Sequence, residues 1–143
     1  MEKVAFISGA NRGIGFETSK KLAEQGIKVI LGSRDMDKGK KALEELAALG
    51  IEADLIQYDA ADLEAPQKVY DYILEKYNKL DILVNNAGVL LTGNLFVANS
   101  TTVSDKDIKE TFQTNLFSVI SLTQGLLPLI KKSDAGRIVN VST

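Results

Sequence analysis

The apolar run Lys3-Val4-Ala5-Phe6-Ile7 passes directly into Ser8-Gly9-Ala10-Asn11-Arg12-Gly13-Ile14-Gly15, and this junction constrains the fold more than any other feature. A compact apolar run closed by Ser-Gly reads as a buried strand ending in a turn. Ile14, Thr18 and Leu22 then recur at i, i+4 and i+8, which predicts a helix with Gly26 as its stop. Glycines let the backbone turn tightly and approach a ligand, while a helix amino end offers free N–H groups and the positive end of a dipole. The junction therefore predicts a phosphate cradle. A tight β–α turn without a ligand is the alternative, and a strand on one side with a helix on the other favours the nucleotide reading.

The rest of the chain alternates short β-like runs with helix-length patterns. Lys28-Val29-Ile30-Leu31 is a second strand, and Ala42, Leu43, Leu46 and Ala47 mark a helical face within 36–49, closed by Gly50. Residues 54–58 form a weaker third strand; Val69, Tyr70, Ile73 and Tyr77 share a helical face within 63–77; Leu80-Asp81-Ile82-Leu83-Val84 is the fourth strand. A polar loop near 92–99 leads to a helical region over 105–131, broken or continuous, and Arg137-Ile138-Val139-Asn140-Val141 is the fifth strand. Strands separated by helices imply right-handed crossovers and a parallel sheet covered on both faces. The expected class is α/β, a doubly wound parallel sheet of five strands in a single domain over 1–143.

Composition narrows the chemistry. The chain has 143 residues, a formal net charge of −2, no His and no Cys. Those absences exclude a Ser-His-Asp triad, an imidazole base, a thiolate nucleophile and Cys-ligated zinc, and no metal is expected. The cationic side chains form no basic stripe, so nucleic acid is not an expected partner. No apolar stretch approaches the roughly 18 residues of a membrane span. Val4-Ala5-Phe6-Ile7 is too short for a signal-peptide core, and a cytoplasmic protein is expected. Chemistry must rest on Ser/Thr, Tyr, Lys, Asn, carboxylates or a borrowed cofactor.

The glycine spacing is G-x-x-x-G-x-G. Asn85-Asn86-Ala87-Gly88 follows the fourth strand, Thr114-Asn115-Leu116 lies in the long helix, and Gly136-Arg137-Ile138-Val139-Asn140-Val141-Ser142 covers the fifth strand. Together these four ordered motifs resemble the short-chain dehydrogenase/reductase family over nearly the whole chain. The stretch from Leu31-Gly32-Ser33-Arg34-Asp35 to Asn85-Asn86-Ala87-Gly88 looks most like the carbonyl reductases. The resemblance implies a Rossmann-like fold and hydride transfer between a nicotinamide cofactor and a small carbonyl or alcohol substrate.

The resemblance also implies roles. Gly9, Gly13 and Gly15 would wrap the pyrophosphate, with Asn11, Arg12 and Ile14 lining the approach. Asp59, with Ala60 beside it, would meet the adenine amino group; a turn cap ahead of the next helix is its alternative. Asn86, Ala87 and Gly88 would line the adenosine ribose side. Ser33 stands at the family's acidic position, followed by Arg34, and a 2′-phosphate asks for cationic neighbours where a 2′-OH asks for a carboxylate. Arg12 and Arg34 can clamp a phosphate dianion, so NADP(H) is expected over NAD(H). A solvated Arg34 paired with Asp35 is the alternative.

In the family, catalysis uses Asn, Ser, Tyr and Lys, the last two as Tyr-x-x-x-Lys on the helix after the fifth strand. Asn115 matches the Asn, against the alternative of a polar residue satisfied by helix backbone. Thr143 stands where the family has its Ser, and its methyl stiffens χ1; Ser142 is one step along the strand and faces the other way. The 143 residues hold no Tyr-x-x-x-Lys after the fifth strand and no sixth or seventh strand, so a C-terminally incomplete domain, inactive alone, is expected. A non-catalytic nucleotide-binding or interaction module is the alternative; another Rossmann-like binder, such as a methyltransferase, is disfavoured by the Asn-Asn-Ala-Gly motif. The fifth strand is expected to leave an exposed edge that favours a homo-oligomer. Tyr72 and Lys76 also satisfy Tyr-x-x-x-Lys, but they precede Asn85, with Tyr72 expected to point away from its helix's apolar face, and they read as a surface pair.

Overall fold

The computed structural model describes residues 2–87 and 104–141. In chain order the elements are β1 (Val4–Ile7), α1 (Gly13–Glu24), β2 (Lys28–Ser33), α2 (Met36–Ala48), β3 (Asp54–Gln57), α3 (Ala65–Lys76), β4 (Ile82–Asn85), α4 (Asp105–Ile130) and β5 (Arg137–Asn140). The strands form one parallel sheet in the order β3-β2-β1-β4-β5. The order reverses between β1 and β4, and in such sheets ligands bind beyond the carboxyl ends of the strands at that reversal.

Both faces are covered, which is why the inner strands are apolar without alternation. Val4 and Phe6 of β1, Ile30 of β2 and Leu83 of β4 pack with Val69 and Ile73 of α3 and Leu122, Leu126 and Leu129 of α4. Ala5, Ile7, Val29, Leu31 and Val84 face the opposite way and pack with Ala42 and Leu46 of α2. After α1 and after α2 the chain closes in the same hydrogen-bonded turn: the Gly26 and Gly50 amides donate to Ala23 and Ala47, and the Ile27 and Ile51 amides to Leu22 and Leu46.

Two local expectations are corrected, and one left open is decided. The face of α1 buried on the sheet is Gly15 and Ser19, and Ile14 is 56% exposed at the helix's amino tip. Small residues let the helix approach the strands closely; of the apolar i, i+4, i+8 series Leu22 packs against the core, beside Phe16 and Ala23, and Ile14 does not. The third helix starts at Ala65, with Pro66 in its first turn, and Leu63 is 93% exposed. A turn precedes it, in which the Asp62 carboxylate accepts from the Glu64 amide at 2.9 Å. The long helix α4 is continuous through Pro128. Among the described residues no helix is long and apolar enough to cross a membrane.

Candidate functional site

The glycine loop after β1 is fixed from two sides. On the β4 side the buried Ser8 hydroxyl accepts from the Asn86 and Ala87 amides at 2.9 and 2.8 Å, and the Asn86 side-chain amide donates to the Gly9 carbonyl at 3.0 Å. On the β2 side the Ala10 amide donates to the Gly32 carbonyl at 2.9 Å. Ser8 and the Ala10–Gly32 bond were not singled out from sequence; the signal for Ser8 was a hydroxyl residue at the junction of a buried strand with a glycine turn.

Gly13 and Gly15 have different reasons to be glycine. Gly13 has φ +61°, and a methyl group there would meet no heavy atom within 4 Å. At Gly15 a methyl would lie 2.5 Å from the Asn86 side-chain nitrogen and 3.0 Å from the Ala10 Cα. One glycine borders open space while the other is a contact between loop, helix and the segment after β4. At the amino end of α1 the Arg12 N-cap makes no side-chain cap, and the first turn carries no acidic residue. Asp35 caps α2 and Ser104 caps α4, with Asp37, Asp105 and Asp107 in the first turns, whereas the start of α3, like that of α1, has neither a side-chain cap nor an acidic residue in its first turn. An uncapped helix start keeps its N–H groups and dipole available to an anion.

The end of β2 corrects one expectation. Ser33 is fully buried, and its hydroxyl donates to the Asp35 carbonyl at 2.7 Å, so it turns into its own loop. Arg34 is exposed. Asp35 accepts the Asp37 and Lys38 amides at 2.9 and 3.1 Å, and the Lys38 amide foremost holds its carboxyl below the ordinary value of 3.8. No Arg34–Asp35 ion pair forms among the described residues.

At the end of β3, the Asp59 carboxylate accepts the Ala61 amide at 2.9 Å, which is the turn-capping role, and Ala60 packs against the core. Burial, then the Asp59 charge, pushes the neighbouring Tyr58 hydroxyl up to about 12. Asn115 is partly buried on α4, and its carbonyl accepts the Ser118 hydroxyl at 3.3 Å. Asn85, buried at the end of β4, donates to Asn140 of β5 at 2.8 Å and to Thr123 of α4 at 3.2 Å, a bridge that local sequence periodicity does not reveal. Gly88, Ser142, Thr143 and the stretch 89–99 lie outside the described residues.

Tyr72 and Lys76 are not a plain surface pair. Tyr72 is partly buried; its hydroxyl and the Lys76 ammonium each donate to Asp54 at 2.9 Å, and the two groups lie 3.4 Å apart. Tyr77 donates to the same carboxylate oxygen at 2.5 Å, and Lys28 pairs with Asp54 at 3.5 Å. Asp54 opens β3, so this cluster sits at the amino ends of the parallel strands, opposite the glycine loop.

Fold and site together define a doubly wound α/β fold with a glycine loop and an uncapped helix start at the strand-order reversal. A family model described as short chain dehydrogenase matches residues 3–143, and the chain belongs to that family. It is 37% identical over 160 residues to short-chain dehydrogenase/reductase 1 of Saponaria officinalis, covering 99% of this chain and 53% of that protein. It is 36% identical over 141 residues to carbonyl reductase (NADPH) 1 of Mus musculus, covering 98% of this chain and 48% of that one. A metagenomic short-chain oxidoreductase solved in complex with NADP superposes with a TM-score of 0.85 at 30% identity, over 99% of this chain and 62% of that one. The chain spans about half the length of the curated relatives it matches.

Proposed function

We propose that this chain is the cofactor-binding portion of an NADP(H)-dependent oxidoreductase that reduces a carbonyl or oxidises an alcohol. The observation that carries the reading is the glycine loop after β1 at the strand-order reversal, where the uncapped amino end of α1 borders open space at Gly13. Exposed arginines at 12 and 34 lie on the two segments that the Ala10–Gly32 bond ties together, and no carboxylate occupies position 33. The NADP complex of the metagenomic relative and the name of the mouse relative support the same cofactor.

The residues present fit such a nucleotide. Gly9, Gly13 and Gly15, with Asn11, Arg12 and Ile14, would hold the pyrophosphate, and Arg12 and Arg34 the 2′-phosphate. Asp59 and Ala60 would meet the adenine, and Asn86, Ala87 and Gly88 the adenosine ribose side. When bound, the nicotinamide supplies the hydride. Asn115 would support a water-linked proton path, and the Thr143 hydroxyl would polarise the substrate carbonyl. These 143 residues hold no Tyr-x-x-x-Lys after β5, so the chain by itself binds cofactor without turnover.

Titration of the purified chain with NADPH and NADH, before and after Arg34→Asp, tests this reading. NADPH binds the native chain about tenfold more tightly, and the substitution reverses the order. Equal affinities in the native chain overturn the NADP assignment. NADPH-dependent carbonyl reduction by the purified chain, with contaminating reductases excluded, overturns its inactivity. A non-catalytic nucleotide-binding or interaction module is the second reading. A Tyr-x-x-x-Lys encoded beyond Thr143 would decide for the reductase. Self-association through the β5 edge belongs to either reading.

A further inference from the structure

We infer that Ser33 and Gln57 are positioning residues that set the preference for a 2′-phosphorylated nucleotide by holding the Arg34 turn in one shape. The inference rests on the NADP(H) reading above. Three successive carbonyls around Arg34 are each tied down. The Ser33 carbonyl accepts the Tyr58 amide at 2.9 Å, and the Arg34 carbonyl accepts the Gln57 side-chain amide at 3.3 Å. The Asp35 carbonyl accepts both the Ser33 hydroxyl at 2.7 Å and the Gly39 amide at 3.0 Å. Strand β3 thus grips the turn from one side and helix α2 from the other.

Closeness enforces the grip. A methyl group at Gly39 would stand 3.2 Å from the Ser33 Cβ and 2.7 Å from a Leu55 methyl, so the start of α2 is pressed onto β2 and β3. Ser33, buried with its hydroxyl spent inside the turn, offers no side-chain contact to a ribose. Discrimination at this corner falls to Arg34, whose guanidinium is a planar fork suited to bidentate phosphate recognition. A fork on a fixed backbone loses less conformational freedom when it binds, and that saving is realised only by a ligand carrying the phosphate.

The consequence separates positioning from general structural support. Loss of a turn bond weakens NADPH more than NADH, because NADH has no 2′-phosphate for Arg34 to meet; loss of overall integrity weakens both alike. The 143-residue chain and its Ser33→Ala, Gln57→Ala and Arg34→Ala forms, with both double variants, are titrated with NADPH and NADH by calorimetry. Ser33→Ala and Gln57→Ala each lower the NADPH-to-NADH affinity ratio by about fivefold, the effect of one hydrogen bond. In the Arg34→Ala background the same changes leave the ratio where Arg34→Ala alone puts it. Equal weakening of both nucleotides, or a further fall of the ratio without Arg34, overturns the inference while the NADP(H) reading stands. A native ratio of one overturns the reading itself. Gln57 is exposed, so its variant decides the matter if the buried Ser33→Ala does not fold.

Discussion

The Asn86 side-chain amide donates to the Gly9 carbonyl at 3.0 Å, across 77 residues of sequence, so the loop after β1 and the segment after β4 form one rigid corner. Gly15 packs into that corner and Gly13 faces away from it. Substitution with alanine should therefore separate stability from binding. Gly13→Ala strains only a left-handed backbone and costs about 1–2 kcal/mol, while its methyl enters the cradle and NADPH affinity falls more than tenfold. Gly15→Ala must displace Asn86 and the Gly9 backbone, costing about 3 kcal/mol or more along with binding. Urea unfolding and nucleotide titration check both; a Gly13→Ala chain that binds NADPH normally would show that the open space is not the anion site.

The Asp54 cluster predicts the opposite separation. Its carboxylate gathers Tyr72, Tyr77, Lys76 and Lys28 at the amino ends of the strands, away from the cradle. Tyr72→Phe removes one hydrogen bond and costs about 1 kcal/mol. Asp54→Ala leaves two hydroxyls and two ammonium groups without their shared acceptor and costs about 2–3 kcal/mol. Neither change moves the NADPH dissociation constant by more than about twofold, within the usual error of additivity for distant sites. A marked loss of affinity in Tyr72→Phe would mean that this Tyr-x-x-x-Lys serves the nucleotide after all.

Acid stability follows from two carboxylates. Burial raises the pKa of Asp54, but the hydroxyls of Tyr77 and Tyr72 and the Lys76 ammonium outweigh it and hold the group below 3.8. Burial likewise raises Asp81, and the Ser133 hydroxyl, the Val4 amide and Lys79 outweigh it with the same net direction. Both groups bind fewer protons folded than unfolded below that value. Their stabilisation is complete above the ordinary carboxylate range and is lost as pH falls through the depressed folded values. Urea midpoints measured from pH 6 down to pH 2 should drop steeply at the acid end, with a shallower drop in Asp54→Asn and in Asp81→Asn. An unaltered acid limb in both variants would contradict these two groups as its source.

Legibility of the sequence was greatest where burial is two-sided. Val4 and Phe6 supply one face of β1, Ala5 and Ile7 the other, and such a run reads as an inner parallel strand without further information. The strand–turn–helix geometry of the glycine junction was equally readable because its backbone requirements are local. What failed was long-range or depended on small residues. The fully buried residues of α1 are Gly15 and Ser19, which carry no hydrophobic signal beside the partly buried Phe16, Leu22 and Ala23, and the Ser19 hydroxyl is satisfied by the Gly15 carbonyl at 2.8 Å. Local periodicity predicts a solvated Tyr72, because its partner lies 18 residues away on another element. Ser33 matched a motif position, but only the fold reveals that its hydroxyl closes on Asp35 instead of facing a ligand.

The β5 edge carries the last prediction. Among the described residues Arg137–Asn140 is the last strand on its side of the sheet, and all four of its residues are exposed. Ile138 pairs with Leu83 and so lies on the α4 side, 40% exposed, while Val139 pairs with Val84 on the other side, 46% exposed. On α4 itself Phe112, Phe117 and Ile120 are exposed as well. Unpaired strand groups flanked by apolar side chains template pairing with another strand, and a charge placed on the edge opposes it. Sedimentation of the chain should therefore show reversible self-association that grows with concentration, and Ile138→Lys should shift it toward monomer with the NADPH dissociation constant retained. A native chain that sediments as a monomer at every concentration would rule out the edge as an assembly surface.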